Sequence, residues 1–270
     1  MTRTTKVTAT VIMPVLLAAF VILFGFPRRT EQLWAWTIAP PMTAITVGAG
    51  YLGGVAFFAR VARARQPHRV VGGLAAATVF TTMLGVATFV HWDKFNHDHV
   101  SFWAWLFLYT VSPGLLAVLV VGNRRLGRPA GPDDPRLPRW ARTALPLLGG
   151  LLVLAAVSWF LHPPWALQIW PWTVTPLTAR TLASFVGFTG ALLLWPLVDD
   201  RRDANDIGLL AVTVGLAMVS IGAVRGRADF TGPVASRVVY VCALALLLAM
   251  VLWLQRPAAS PAAAPRTAPA

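Results

Sequence analysis

A short segment, His91-Trp-Asp93-Lys-Phe-Asn-His97-Asp-His99, holds the densest set of potential metal ligands in the chain. Zinc accepts imidazole nitrogens and carboxylate oxygens, usually three or four at a time. The candidate ligands of a divalent metal, the one cofactor that we consider in detail, are His91, Asp93, His97 and His99. The alternative is a polar loop whose side chains bond to one another and to water. That alternative is favoured because the chain contains no recognised metal spacing such as His-Glu-x-x-His.

A haem held by two histidines is a weaker possibility at the same place. His91 and His162 each follow a strongly apolar stretch, and the two stretches are predicted to end on the same side of a membrane. Bis-histidine ligation would need their rings to face each other. Nothing in the sequence indicates that they do.

A second candidate site is a stretch that the chain contains twice. Trp34-Ala-Trp36-Thr37-Ile-Ala-Pro-Pro41 returns as Trp170-Pro-Trp172-Thr173-Val-Thr-Pro176, one residue shorter before the last Pro. The simplest interpretation is a belt of interfacial tryptophans, each followed by a proline that opens a helix. Lipid preference does not demand the shared order of Gln, Trp, Trp, Thr and Pro. We therefore predict a ligand-binding site formed by both copies, with these residues: Trp36, Thr37, Trp172 and Thr173.

Arg180 is the one charged residue well inside an apolar stretch. Charges within membrane spans are costly and often functional, although Arg near a helix end can extend its side chain to the interface. We include Arg180 in the predicted ligand site. Its expected partner is one of three acidic residues predicted on the same side: Asp229, Asp93 or Glu31. The equivalent position in the first copy is Ile45, so the charge breaks the repeat.

The elements that position these residues are predicted to be membrane-spanning helices. The chain is 57% hydrophobic and 12% charged, with a mean hydropathy of +0.65, and it contains eight apolar stretches long enough to cross a bilayer. The predicted spans are Thr8–Gly25, Pro41–Phe58, Val70–Val90, Phe102–Val121, Ala144–Leu161, Leu177–Val198, Ile207–Val224 and Val234–Leu254. Cys242, the only cysteine, allows no intrachain disulfide.

The duplicated stretch predicts an all-α membrane protein of two parallel four-helix repeats. An even number of spans separates the copies, so both have the same orientation. The predicted organisation is a first unit at 1–121, a cytoplasmic linker at 122–142, a second unit at 143–255 and a disordered Pro/Ala tail at 256–270. A tail of this composition is too poor in apolar residues to form a core.

Lysine and arginine are distributed unequally between the two sides. Of the 23 Lys and Arg residues, 16 fall on one side of the predicted spans and six on the other, with Arg180 inside a span. Cytoplasmic loops collect these residues. We therefore predict a bacterial plasma-membrane protein with both termini in the cytoplasm. The same rule accounts for the net charge of +13 without nucleic acid as a partner.

The first copy resembles an uncharacterised group of bacterial multi-spanning membrane proteins. The resemblance rests on Trp-Ala-Trp-Thr-Ile with Pro-Pro-x-Thr-Ala, then Gly48-Ala-Gly50-Tyr51, and on His91-Trp-Asp93-Lys-Phe95 before a Trp-rich span. It implies a multi-spanning fold and carries no known activity.

Function is predicted only broadly. The leading hypothesis is a non-enzymatic protein of the lipid bilayer whose outer face binds a protein or small-molecule partner. The alternative is a small-solute transporter with a site between the two repeats. A metal-dependent membrane enzyme using the His91–His99 segment comes third, since the chain contains no motif of a known enzyme class.

Overall fold

The computed structural model describes residues 1–256, and this part of the chain is all-helical. Its ten α-helices are α1 (Arg3–Phe20), α2 (Thr30–Leu33), α3 (Pro41–Arg63), α4 (His68–Val90), α5 (Val100–Leu126), α6 (Arg139–Leu161), α7 (Pro163–Ile169), α8 (Pro176–Leu194), α9 (Arg202–Arg225) and α10 (Val234–Leu254). Short 3-10 segments follow α4, α8 and α9, and a π-helical turn, Val21–Gly25, extends α1. Apart from Arg256, the predicted tail lies outside the described residues.

Eight of these helices are long and apolar enough to cross a membrane, which confirms the predicted number of spans within residues 1–256. The short helices α2 and α7 were not predicted. Several long helices run past the predicted ends: α3 continues from Phe58 to Arg63, and α9 begins at Arg202 rather than Ile207. A helix can extend beyond its apolar stretch because arginine side chains reach into the polar interface.

The core consists of α3, α4 and α8, which are buried along most of their length. Helices α1, α5, α6 and α10 surround them and expose large apolar side chains such as Phe107 and Leu246. An apolar exterior is the surface expected of helices that contact lipid.

Helix pairing joins the two predicted units closely. Helix α3 packs chiefly against α9 and α1, while α8 packs against α4 and α6. Helix α5 lies on α4, and α10 lies on α9. The main partners of α3 and α4 thus include helices of the other predicted unit.

Glycines permit two of the closest helix crossings. A Cβ atom added at Gly53 of α3 would lie 2.6 Å from the carbonyl oxygen of Ala211 on α9. A Cβ atom at Gly149 of α6 would lie 2.8 Å from the carbonyl oxygen of Gly190 on α8. Small residues let helices approach in lipid, where packing drives their association.

The α6–α8 crossing is tested by comparing neighbouring glycines. Gly149→Ala should lower the melting temperature in detergent, because the new methyl group meets α8 backbone; the cost is about 1–3 kcal/mol. Gly150→Ala is the matched control, since a Cβ atom there has nothing within 4 Å. It should leave stability unchanged or slightly raised. Equal melting temperatures for the two variants would contradict the close crossing.

Candidate functional site

The residues predicted to form sites lie at one end of the helices, which we call the tryptophan-rich end. It comprises the connections 26–40, 91–99, 162–175 and 226–233. Hydrogen bonds join these connections to one another: the Asn96 amide donates to the Ala35 carbonyl at 2.8 Å, and the Gly232 amide donates to the Pro171 carbonyl at 3.0 Å.

The two copies of the repeated stretch form two similar aromatic clusters at this end. In the first, the Trp36 ring centroid lies 5.2 Å from Phe95 and 4.8 Å from Trp105. In the second, Trp172 lies 5.4 Å from Phe230 and 5.4 Å from Tyr240. All four contacts are edge-to-face, the arrangement that aromatic quadrupoles favour.

Trp36 and Trp172 are more deeply buried than tryptophans of an interfacial belt. Trp36 is 3% exposed and Trp172 is 1% exposed, whereas Trp103 is 56% exposed. A belt residue presents its ring to the headgroup region, as Trp103 is placed to do. Thr37 and Thr173 are exposed, so the structure does not bring their hydroxyls into a common buried pocket with the two indoles.

The clusters differ in their hydrogen bonds to the opposite unit. The Trp172 indole donates to the Thr43 hydroxyl at 2.8 Å, and the Asp229 carboxylate accepts from the Met42 amide at 2.8 Å. Both bonds hold the first turn of α3 against the second unit. In the first cluster, by contrast, the Trp36 indole N–H is buried without a partner among the described residues.

Arg180 occupies a distinct position between α4, α6 and α8. Its Nε donates to the Phe160 carbonyl at 3.0 Å, and its Nη1 donates to His91 Nε2 at 2.6 Å. The prediction that Arg180 pairs with an acidic residue was wrong. Asp229 caps α3, and the exposed Asp93 carboxylate forms an ion pair with Lys94 at 2.8 Å.

The Arg180–His91 contact requires a neutral imidazole. Burial and the Arg180 charge lower the pKa of His91. The neutral imidazole can then accept a hydrogen bond from the guanidinium through the Nε2 lone pair. Both acceptors of Arg180 are therefore uncharged. Within residues 1–256 this half-buried cation forms no ion pair.

Each of the four candidate metal ligands contacts another residue. His97 packs its ring 4.6 Å from Phe102, and His99 Nδ1 lies 2.6 Å from the Ser101 hydroxyl at the start of α5. No group of three or more His, Cys, Asp or Glu residues in the described chain is arranged to hold a metal ion. His162, the second haem candidate, packs against Trp165 at 4.9 Å.

The opposite, arginine-rich end holds a network that the sequence did not reveal. It joins the ends of α4 and α9 to the connection between α5 and α6. His68 Nε2 lies 2.9 Å from Asp203, and Asp200 accepts from Arg136 at 2.8 Å and from Arg142 at 3.0 Å. Arg128 lowers the pKa of Asp134 at the same end. The partners of Asp203 and Asp200 lie 58 to 135 residues away along the chain, so only the fold brings them together.

No protein-family model, curated protein or solved structure matches this chain. The likeness of the Trp-Ala-Trp-Thr-Ile segment to a bacterial membrane-protein group stays a prediction.

The stability of the fold should depend on the shape of the side chains at positions 36 and 172. Trp36→Tyr and Trp172→Tyr should each lower the melting temperature in detergent, because a smaller ring leaves a void in a packed site, at a cost of about 1–3 kcal/mol. Trp172→Tyr should lower it more, since the bond to Thr43 is also lost. Trp103→Tyr serves as the exposed control and should change little. Small and equal shifts in all three variants would contradict a packed role for the clusters.

Proposed function

We propose that the chain is a non-enzymatic, multi-pass membrane protein that binds an anionic group at its tryptophan-rich end, through Arg180. The observation that carries this proposal is a half-buried guanidinium whose protein acceptors, Phe160 O and His91 Nε2, are both neutral. A charge removed from water is unfavourable unless it is compensated. A carboxylate or phosphate would compensate it with charge-assisted bonds.

The tryptophan clusters have a supporting role in this proposal. They fix the connections between helices by packing, and Trp172 holds the start of α3 through Thr43. Arg180 lies one turn into α8, whose own start is fixed by a capping box between Thr175 and Thr178. A binding group on such a fixed helix keeps its geometry without the ligand. Thr37 and Thr173 remain exposed and available to a partner at the surface.

We further propose that the helices form two parallel four-helix repeats. Each aromatic cluster, 3-10 segment and long helix of the first half has a counterpart in the same order in the second. The pairing of α3 with α9 also corresponds to that of α8 with α4, as a twofold axis along the membrane normal requires. This correspondence supports the repeat that was inferred from the duplicated stretch.

The proposed location is the plasma membrane of a bacterium, with both termini in the cytoplasm and the tryptophan-rich end outside. The uneven distribution of Lys and Arg supports this orientation. Arg180 would then meet anions of the external medium or phosphates of the outer lipid leaflet.

The orientation is tested with single cysteines in a Cys242-free background. A membrane-impermeant maleimide added to intact cells should label Asn96→Cys, which lies in the 91–99 connection. It should label Asp133→Cys only after the cells are opened. Both positions are exposed, so a failure to react would not reflect burial in the fold. Labelling of Asp133→Cys from outside would contradict the proposed orientation.

Anion binding is tested by thermal shift of the purified chain in a nonionic detergent. Sodium acetate or phosphate should raise the melting temperature above that in sodium chloride of equal ionic strength, because a ligand at 100 times its Kd stabilises the fold by about 2.7 kcal/mol. Arg180→Gln should abolish the shift. Arg28→Gln should retain it, since Arg28 is an exposed arginine of the same end.

The same assay identifies the source of the anion. A shift with phosphatidylglycerol that is lost in Arg180→Gln, without a shift by soluble anions, would assign a lipid phosphate to Arg180. Equal responses in wild type, Arg180→Gln and Arg28→Gln would reject the proposed site.

A further inference from the structure

A cavity of about 530 Å³ lies at the arginine-rich end, away from Arg180. It opens to the surface and is lined by the last turns of α3 and α10, the first turns of α9 and the connection between α5 and α6. Its volume lies within the range of about 300–1,000 Å³ that is typical of small-molecule sites. No residue predicted from the sequence to form a site lines it.

The floor of this cavity is apolar. Its apolar lining residues are Leu137, Ile207, Leu209, Leu210 and Leu254. Leu210 is half-buried and the other four are buried, so packing fixes the apolar surface that they expose to the cavity. Such a surface favours the hydrocarbon part of a ligand, because burying apolar area is favourable at roughly 25 cal/mol per Å².

The rim of the cavity carries four charged residues, and the two acidic ones already have partners. Asp203 pairs with His68 at 2.9 Å, and Asp206 pairs with Arg69. Arg60 and Arg202 complete the rim. Neither arginine forms an ion pair within residues 1–256. Arg202 donates to the carbonyl oxygen of Leu254 at 3.1 Å and to that of Arg256, and Arg60 is exposed.

We propose that this cavity binds an anionic phospholipid. The phosphate would lie between the Arg60 and Arg202 guanidinium groups, and one acyl chain would cover the apolar floor. Guanidinium groups bind phosphate oxygens with two parallel bonds where the geometry allows. Membrane phospholipid is the favoured source because both arginines lie where helices leave their apolar stretches, which is the depth of lipid headgroups. This inference does not depend on Arg180.

The proposal predicts that the cavity binds anionic phospholipid more tightly than the surrounding basic surface attracts it. The test uses the full chain, delipidated in a nonionic detergent, and measures binding of dioleoyl-phosphatidylglycerol and dioleoyl-phosphatidylcholine by native mass spectrometry. In an Arg180→Gln background, which removes the other proposed anion site, phosphatidylglycerol should bind with a stoichiometry of one and at least 10-fold more tightly than phosphatidylcholine. The double variant Arg60→Gln/Arg202→Gln should weaken phosphatidylglycerol binding at least 10-fold.

The matched control is Arg63→Gln/Arg65→Gln. It removes the same charge at the same end of α3, from exposed residues that do not line the cavity, and it should change binding less than 2-fold. The double variant will fail to fold if the Arg202 bond to Leu254 is needed for stability. The single variant Arg60→Gln is therefore tested as well. Arg60 has no such bond, and its loss should weaken binding at least 3-fold. Leu210→Trp should also weaken binding by filling the cavity without changing charge.

Three results would overturn the proposal. Equal losses in the cavity and control double variants would mean diffuse attraction to the basic surface. Unchanged binding in Arg60→Gln and Leu210→Trp would place the lipid elsewhere. Saturable binding of octyl phosphate without binding of phosphatidylglycerol would assign the cavity to a soluble amphiphile.

Discussion

The attachment of the first turn of α3 to the second half of the chain is the interaction on which the tryptophan-rich end depends. Trp172, with 1% of its surface exposed, donates to Thr43 across 129 residues of sequence, and Asp229 accepts from the adjacent Met42 amide. The first amides of a helix have no intrahelical partner, so a carboxylate there satisfies a donor and complements the helix dipole. These bonds act together with the α3–α9 crossing at Gly53. A substitution at the start of α3 should therefore also weaken the α3–α9 crossing, and a substitution at Gly53 should weaken the bonds of Thr43 and Met42.

The two halves use equivalent positions for different purposes. Where the first half has Ile45 on α3, packed against Gly222 of α9, the second half has Arg180 on α8, bonded to His91 beyond the end of α4. One junction is thus closed by apolar contact, and the other contains a cation with neutral acceptors. A structural repeat tolerates such a difference when the helices are held by other contacts, here the crossings of α8 with α6 and α4. The difference is what suggests a ligand at one junction only.

The sequence predicted the eight long helices because hydropathy over about 20 residues reports directly on the bilayer thickness. It did not predict α2 and α7, which are too short to have a distinctive period. Burial of Trp36 and Trp172 was not determined by composition either, since a tryptophan near a helix end suits both an interface and a packed cluster. The partner of Arg180 was predicted wrongly because only residues of opposite charge were considered. The histidine that accepts its hydrogen bond, His91, lies 89 residues away and was assigned to a metal site.

Arginine has different surroundings at the two ends, and this bears on what each end can bind. At the arginine-rich end several guanidinium groups pair with carboxylates, as Arg201 does with Asp199 and Arg69 with Asp206. Arg202 and the exposed Arg60 line the cavity and form no ion pair within residues 1–256. At the tryptophan-rich end the half-buried Arg180 has only neutral acceptors. Arg180 is half-buried whereas Arg60 is exposed, so water competes less for an anion beside Arg180. Under the two proposals, Arg180 would bind a small anionic group between helices, whereas the cavity, whose lining is partly apolar, would also contact an acyl chain.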